Sequence, residues 1–365
     1  MTNAHTKSFT SRTSRRSILK GLGAAAIGIS LVGKKSSAWA KEEPKLNFYN
    51  WDTYIGETTL PDFTKATGID VNMSLFATND ELFAKLRAGN PGFDVIVPGS
   101  EFVERMIKAD MLEPLDHAKI PNIKNVAPAF INDAPYDPGR KYSLPYTWLV
   151  IGIGYRKSKV KEVPDSWKYL FNSDEYKGRT AVMSDASELF RNCFKYLGQS
   201  INATSPELIK QAEEMLIKQK PSIKSFHEDN GQDLLASGEV DVVMEYNGDI
   251  AQVMTEDDDL NFVVPKEGAM KQSDTLAIPK GAPHPENATE FINFIFDPKV
   301  GAEISKTIKY PSPNAAAVAL MPDSYKDNPV VFPPAGIMTK CEYPRYLGPD
   351  FTRQLDDAMT RLRAA

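Results

Sequence analysis

Lys45-Leu46-Asn47-Phe48-Tyr49-Asn50-Trp51 alternates apolar and polar side chains, the period-two pattern of a strand with one buried face. A turn and a helical pattern follow as far as Thr67, and Gly68 closes that helix. Ile69-Asp70-Val71-Asn72-Met73 alternates again. Asn79 to Gly89 then reads as a capped helix with a glycine stop, and Phe93-Asp94-Val95-Ile96-Val97-Pro98 as a short apolar strand. Parallel strands cannot be joined by tight turns, so a strand, helix, strand, helix, strand rhythm means a parallel sheet with covering helices. The predicted fold class is α/β.

The same rhythm returns beyond Leu149-Val150-Ile151-Gly152-Ile153-Gly154-Tyr155, an apolar strand whose two glycines mark a crossing between lobes. Thr180-Ala181-Val182-Met183 reads as a strand and Ser187 to Leu197 as a helix. Ser205-Pro206 starts another helix, with Ser at the N-cap and Pro in the first turn. Leu208, Ile209, Ala212 and Leu216 give that helix an apolar face, and Val240 to Met244 forms the next strand. A strand over Thr275 to Pro279 follows, then a helix spaced by Ala288, Phe291, Ile292 and Ile295 that ends at Asp297-Pro298. A last helix from about Asp350 carries Leu355, Met359 and Leu362 on one side. The chain of 365 residues exceeds the size of a single core, about 250–300 residues, so two lobes hinged by short crossing strands are expected.

The first forty residues differ in composition. A basic stretch ends in Ser14-Arg15-Arg16-Ser17-Ile18-Leu19-Lys20, an apolar run of 13 residues spans Gly21 to Gly33, and Ala38-Trp39-Ala40 follows. This is the layout of a secretory signal with a paired arginine of the Tat type and a cleavage site after Ala40. The run is shorter than the roughly 20 residues that span a bilayer. The segment holds seven basic residues and no acidic one, so its removal takes the formal net charge from −5 to −5 − 7 = −12. Such a balance disfavours nucleic acid and anionic lipid and favours cations. Cys193 and Cys341 are too few and too far apart for a disulfide framework or a CxxC site, and sequence leaves a bridge between them open. His117, His227 and His284 lack zinc-ligand spacing. No GxSxG elbow or Gly-rich phosphate loop is present, and no cofactor is expected.

From Phe48-Tyr49-Asn50-Trp51 nearly to the C-terminus the chain resembles the bacterial periplasmic spermidine/putrescine-binding proteins of ABC importers. The blocks that carry the likeness include Phe63-Thr64-Lys65-Ala66-Thr67-Gly68-Ile69, Tyr142-Ser143-Leu144-Pro145-Tyr146, Tyr246-Asn247-Gly248, Asp274-Thr275-Leu276-Ala277-Ile278-Pro279 and Tyr310-Pro311-Ser312-Pro313-Asn314. Each block is weak alone; their order and spacing over about 45–365 is not. The resemblance implies a periplasmic-binding-protein-like fold of type II, two α/β lobes with an interlobe cleft and several crossing strands. Lobe one would hold 45–150 plus 275–318, and lobe two 151–274 plus 319–365. It implies a monomeric, non-enzymatic periplasmic protein that takes a small cationic ligand, a polyamine, and meets membrane ABC permease subunits.

A polyamine needs carboxylates for its ammonium groups and flat walls for its methylenes. Family ligand positions carried onto this sequence give Asp185, Glu188 and Asp274 as the acids and Trp51, Tyr54, Tyr246 and Tyr310 as the aromatic walls. Asp52, Ser100, Glu101 and Gln272 complete the candidate set. Among these, Asp52 stands where a hydroxyl residue is common, Glu101 where an aromatic is expected and Gln272 where relatives carry Trp. Plainer readings stand beside these: Asp185 as an N-cap with Glu188 as its capping-box partner, Asp274 as a strand-entry turn, and the aromatics as packing under loops. More acid and less ring leave open another cationic or zwitterionic solute, such as an amino acid or guanidino compound. A sensor subunit with the same cleft and a Tat-exported enzyme using Asp185 and Glu188 as acid and base are the other readings.

Overall fold

The computed structural model describes residues 42–228 and 230–365; the expected signal segment over 1–40 lies outside them. Nine strands are described: β1 (Lys45–Asn50), β2 (Asp70–Leu75), β3 (Val95–Ile96), β4 (Ser143–Arg156), β5 (Thr180–Met183), β6 (Ile223–His227), β7 (Val242–Tyr246), β8 (Leu260–Val263) and β9 (Lys271–Ala277). Their order is β2-β1-β3-β9-β4-β7-β5-β6, with β8 also paired to β4. β1 runs parallel to β2 and β3, and β5 parallel to β6 and β7, as the alternating rhythm predicts.

The order is joined in the middle by β4. Its residues Ser143 to Val150 pair antiparallel with β9, whereas Ile151 to Tyr155 pair with β7 and Ile153 to Arg156 with β8. Residues 42–365 pack as one unit containing separate apolar cores. In what we call the first half, Phe48, Phe63, Leu144, Leu276, Phe291 and Ile304 form one core, with Tyr49, Leu82, Val103, Met106 and Tyr343 in an adjoining one. In the second half, Val182, Leu189, Phe194, Leu216, Val243 and Leu355 pack together. Each such side chain, fully buried, contributes about 1.5–3 kcal/mol relative to exposure.

Local signals set the helix ends. Gly68 adopts φ 77° and its N–H bonds the carbonyl of Thr64, closing the Thr59–Thr67 helix. The Asn79–Arg87 helix is capped by Thr78, one residue ahead of the expected start, and Ser205 caps Pro206–Gln219 as expected. Two expectations need correction. β9 begins at Lys271, so Asp274 lies inside a strand and not in an entry turn. Asp297-Pro298 does not merely end a helix: Asp297 accepts the N–H of Lys299 and starts a further helix, Pro298–Ile308. The two glycines of β4 also serve packing. A Cβ on Gly152 would stand 2.4 Å from the Phe262 ring and 2.6 Å from the Val263 carbonyl oxygen, so its absence lets β8 lie against β4. Cys193 and Cys341 are both buried free thiols.

Candidate ligand-binding site

Parallel strands put their following loops on one edge, where α/β sheets place ligands. Trp51 to Tyr54 follow β1, Gly99 and Ser100 follow β3, Asp185 follows β5, and Tyr246 ends β7. β9 runs between them, with Gln272 and Asp274 two residues apart and therefore on the same face.

Asp274, 8% exposed, lies opposite Thr147 of β4 and bridges to Gly99. Its carboxylate accepts the Tyr54 hydroxyl at 2.9 Å, and the Tyr54 and Thr147 hydroxyl oxygens are 2.6 Å apart. With the Tyr54 proton directed to Asp274, Thr147 donates to Tyr54. Burial first, and the neighbouring Asp274 charge second, push the Tyr54 phenol well above its ordinary value, so it remains a donor. The Tyr310 ring stands edge-on to Tyr54, 5.2 Å between centroids, and packs directly on Gly248, where a Cβ would come within 2.5 Å of it. Burial raises the Tyr310 phenol too, with Asp249 adding to the effect.

Glu188 supplies the second anchor. One carboxylate oxygen accepts the Tyr246 hydroxyl and the Gln272 side-chain amide, the latter at 3.3 Å. Tyr246 touches the cores of both halves, and burial, then Glu188, raise its phenol. Asp185 does act as the N-cap of the Ala186–Tyr196 helix, its carboxylate accepting the Glu188 N–H at 2.9 Å. Its carboxyl is nonetheless raised, mainly by the surrounding protein and further by Asp80 and Asp356, although the residue is solvent-exposed.

The other candidates divide. Trp51 is half-buried, donates its indole N–H to the Val97 carbonyl at 2.9 Å and tilts against Phe76, leaving a ring beside the loop. Ser100 is fully buried at the start of the Ser100–Lys108 helix, and its hydroxyl has no partner among the described residues. Asp52 is exposed and accepts only the adjacent Thr53 N–H. Glu101 is drawn to Arg191 at 2.9 Å and to Ser187 at 3.3 Å; burial raises its carboxyl and Arg191 opposes that rise. The structure thus gathers Asp274, Tyr54 and Tyr310 in one group and Glu188, Tyr246 and Gln272 in another, joined along β9, while Asp52 bonds its own turn and Glu101 bonds Arg191 and Ser187. Sequence reading missed Thr147 and Gly248. A hydroxyl inside the apolar run Leu144 to Ile153 was the available signal for Thr147.

A cavity of about 660 Å³ lies elsewhere, lined by Asp133, Lys271, Glu342 and Tyr343 among others. Lys271 alternates with Gln272 and so faces away from the carboxylates, and its charge is met by Asp133 at 3.6 Å. Among the described residues no group of His, Cys, Asp and Glu is arranged to hold a metal ion.

Residues 59–333 match the model of the bacterial extracellular solute-binding protein family. The chain belongs to that family. Its relatives include the putrescine-binding periplasmic protein SpuD of Pseudomonas aeruginosa, 33% identical over 94% of this chain and 98% of the relative. The spermidine/putrescine-binding periplasmic protein of Escherichia coli is 35% identical over 90% of this chain and 93% of the relative. A crystal structure of the spermidine/putrescine ABC transporter substrate-binding protein PotD from Streptococcus pneumoniae superposes with a TM-score of 0.80 at 30% identity, covering 88% of this chain and 98% of that one. Solute-binding proteins of this family capture and carry, and the type II fold expected from the sequence is the fold these neighbours share.

Proposed function

We propose that this chain captures a polyamine between its two halves and delivers it to the permease subunits of an ABC importer. The observation that carries this reading is the pair of carboxylate anchors, buried Asp274 with Tyr54 and half-buried Glu188 with Tyr246 and Gln272, met along one strand beside tyrosine rings. Gln272, which bonds Glu188, and Asp274 are about 7 Å apart along the strand, so a carboxylate stands at either end of a stretch suited to a short alkyl chain with an ammonium at each end. Each ammonium meets charge-assisted hydrogen bonds, and the rings of Tyr310, Tyr246 and Trp51 offer faces or edges to the methylenes. Asp185, exposed at the N-cap of the helix that carries Glu188, adds negative charge beside it. The names of the relatives, which bind putrescine or spermidine, agree with this chemistry.

Isothermal titration of the chain from residue 41 onward with putrescine, cadaverine, spermidine and spermine is the direct test, repeated on an Asp185→Asn, Asp274→Asn double variant. Binding of at least one amine well below millimolar, abolished in the double variant, is the expected result. Affinities no tighter than roughly millimolar for all four, near −4 kcal/mol, reject the reading. The reading places residues 1–40 as a twin-arginine export signal removed near Ala40 and the remaining chain in the periplasm as a monomer. Replacing Arg15 and Arg16 with Lys and finding undiminished protein in the periplasmic fraction excludes the Tat route. Sedimentation of the purified protein tests the monomer.

A further inference from the structure

Arg191 is an arginine with every donor used. Its side chain is 1% exposed, and a guanidinium carries five N–H groups. Nε donates to Ser187 Oγ at 2.8 Å, Nη1 to the Ile201 carbonyl at 3.0 Å and to Asn202 Oδ1 at 2.9 Å, and Nη2 to the Arg345 carbonyl at 3.0 Å and to Glu101 Oε1 at 2.9 Å. Four of these acceptors are uncharged, and those on Ser187, Ile201 and Asn202 hold the guanidinium in place. Only Glu101 brings an opposite charge, and only Glu101 comes from the helix Ser100–Lys108, whose Val103 and Met106 are rooted in the first half. Arg191 sits on the Ala186–Tyr196 helix, rooted by Leu189, Phe190 and Phe194 in the second half.

We propose that Glu101 and Arg191 form a latch between the halves, an ion pair made on closure that sets how slowly a captured ligand leaves. The inference rests on the solute-capture reading above. The latch and the ligand anchors share their supports: Asp185 and Glu188 lie within the first turns of the helix that carries Arg191, and Gly99, bridged to Asp274, precedes the helix that carries Glu101. Separating Glu101 from Arg191 therefore pulls the acids of the second half away from Asp274. A second ion pair, Glu104 with Arg345 at 2.8 and 3.0 Å, lies one turn further along the first-half helix. Its segment also places Tyr343 in a first-half core, so that pair need not part when the halves do, and the Arg345 carbonyl that accepts from Arg191 is a second, uncharged contact between the halves beside the charged one from Glu101. Glu101 is the residue that reports closure. It acts through Arg191 and is a positioning residue that does not itself contact the ligand. Desolvated pairs of this kind act chiefly on dissociation.

The test is Glu101→Gln, which keeps the size and an acceptor oxygen and removes the charge. Stopped-flow binding of putrescine is measured alongside distances between spin labels at the exposed positions Arg87, in the first half, and Lys210, in the second. A dissociation rate raised at least tenfold, with association within threefold, supports the latch. An unchanged dissociation rate, or a loss confined to association, overturns it; a residue with a merely structural role would lower the melting temperature without splitting the rates. If the parent protein binds no polyamine, the polyamine reading alone fails, and the ligand-free distances decide: longer in Glu101→Gln supports the latch, unchanged rejects it.

Discussion

Replacing Asp274 with Asn removes one negative charge while changing almost nothing else. The residue is 8% exposed, and its carboxylate accepts the Tyr54 hydroxyl at 2.9 Å, a bond that an amide oxygen can still accept. What is lost is the charge-assisted bond to a ligand ammonium, worth about 1.5–3 kcal/mol. At about 1.4 kcal/mol per tenfold, the dissociation constant for the best-bound polyamine should rise between about tenfold and about a hundredfold. The fold should hardly notice, because the Tyr54 and Thr147 chain of hydroxyls keeps its partners, and the melting temperature should move by less than about 4 °C. Asp52→Asn is the matched control, an equal change of charge on an exposed residue that bonds only its own turn, and its effect should stay under threefold. Titration calorimetry at fixed salt, with circular dichroism melts on the same samples, measures both quantities. An Asp274→Asn constant within threefold of the parent, or an Asp52→Asn loss as large, would show that Asp274 anchors no cation.

Gly248→Ala should place a methyl 2.5 Å from the Tyr310 ring, whereas carbon atoms pack best at about 3.5–4.0 Å. The ring must retreat, so stability should fall by about 1–3 kcal/mol and binding several-fold; parent-like melting and affinity would mean that the close approach is unimportant. His227 is buried, and its pKa is depressed from 6.5 to about 4, desolvation being the main cause. The unfolded chain takes up this proton first, so stability present above pH 6.5 should be lost as pH falls toward 4. The loss should be at most about 3 kcal/mol, because the Glu245 carboxylate 3.8 Å away favours the protonated ring. Urea unfolding of the parent and His227→Gln at pH 7 and pH 4.5 checks this, and equal losses in the two would remove His227 as the cause.

The scaffold was legible wherever burial is one-sided. The alternation in Lys45 to Trp51, the Gly68 stop and the Ser205-Pro206 start each encode a local choice that the tertiary structure keeps. β9 was misplaced because Lys271-Gln272-Ser273-Asp274 is polar and reads as a loop. In the fold those side chains meet β4, Glu188 and Tyr54, so the usual link between polarity and exposure fails there. Asp297-Pro298 was read as an end because Pro stops helices, but the same dipeptide is an N-cap followed by the favoured first residue. Within the site, Asp185 and Glu188 were close enough in sequence to be seen together. The meeting of Tyr54 with Asp274 spans 220 residues, and only the family likeness could join them. The pairing of Glu101 with Arg191, 90 residues on, is likewise announced by nothing local.

β4 carries Leu144, Tyr146 and Leu149 into one core and Ile151, Ile153 and Tyr155 into the other without leaving the extended conformation. Val150 joins the second core as well, so the changeover falls between two consecutive residues, Leu149 and Val150. Both faces of the strand are covered, and what fixes the facing beyond that point is the pair Gly152 and Gly154, where Phe262 and Ile250 close in. Inserting one residue between Val150 and Ile151 would bring Ile151 and Ile153 to those two places, and the neighbouring strand and helix would have to retreat.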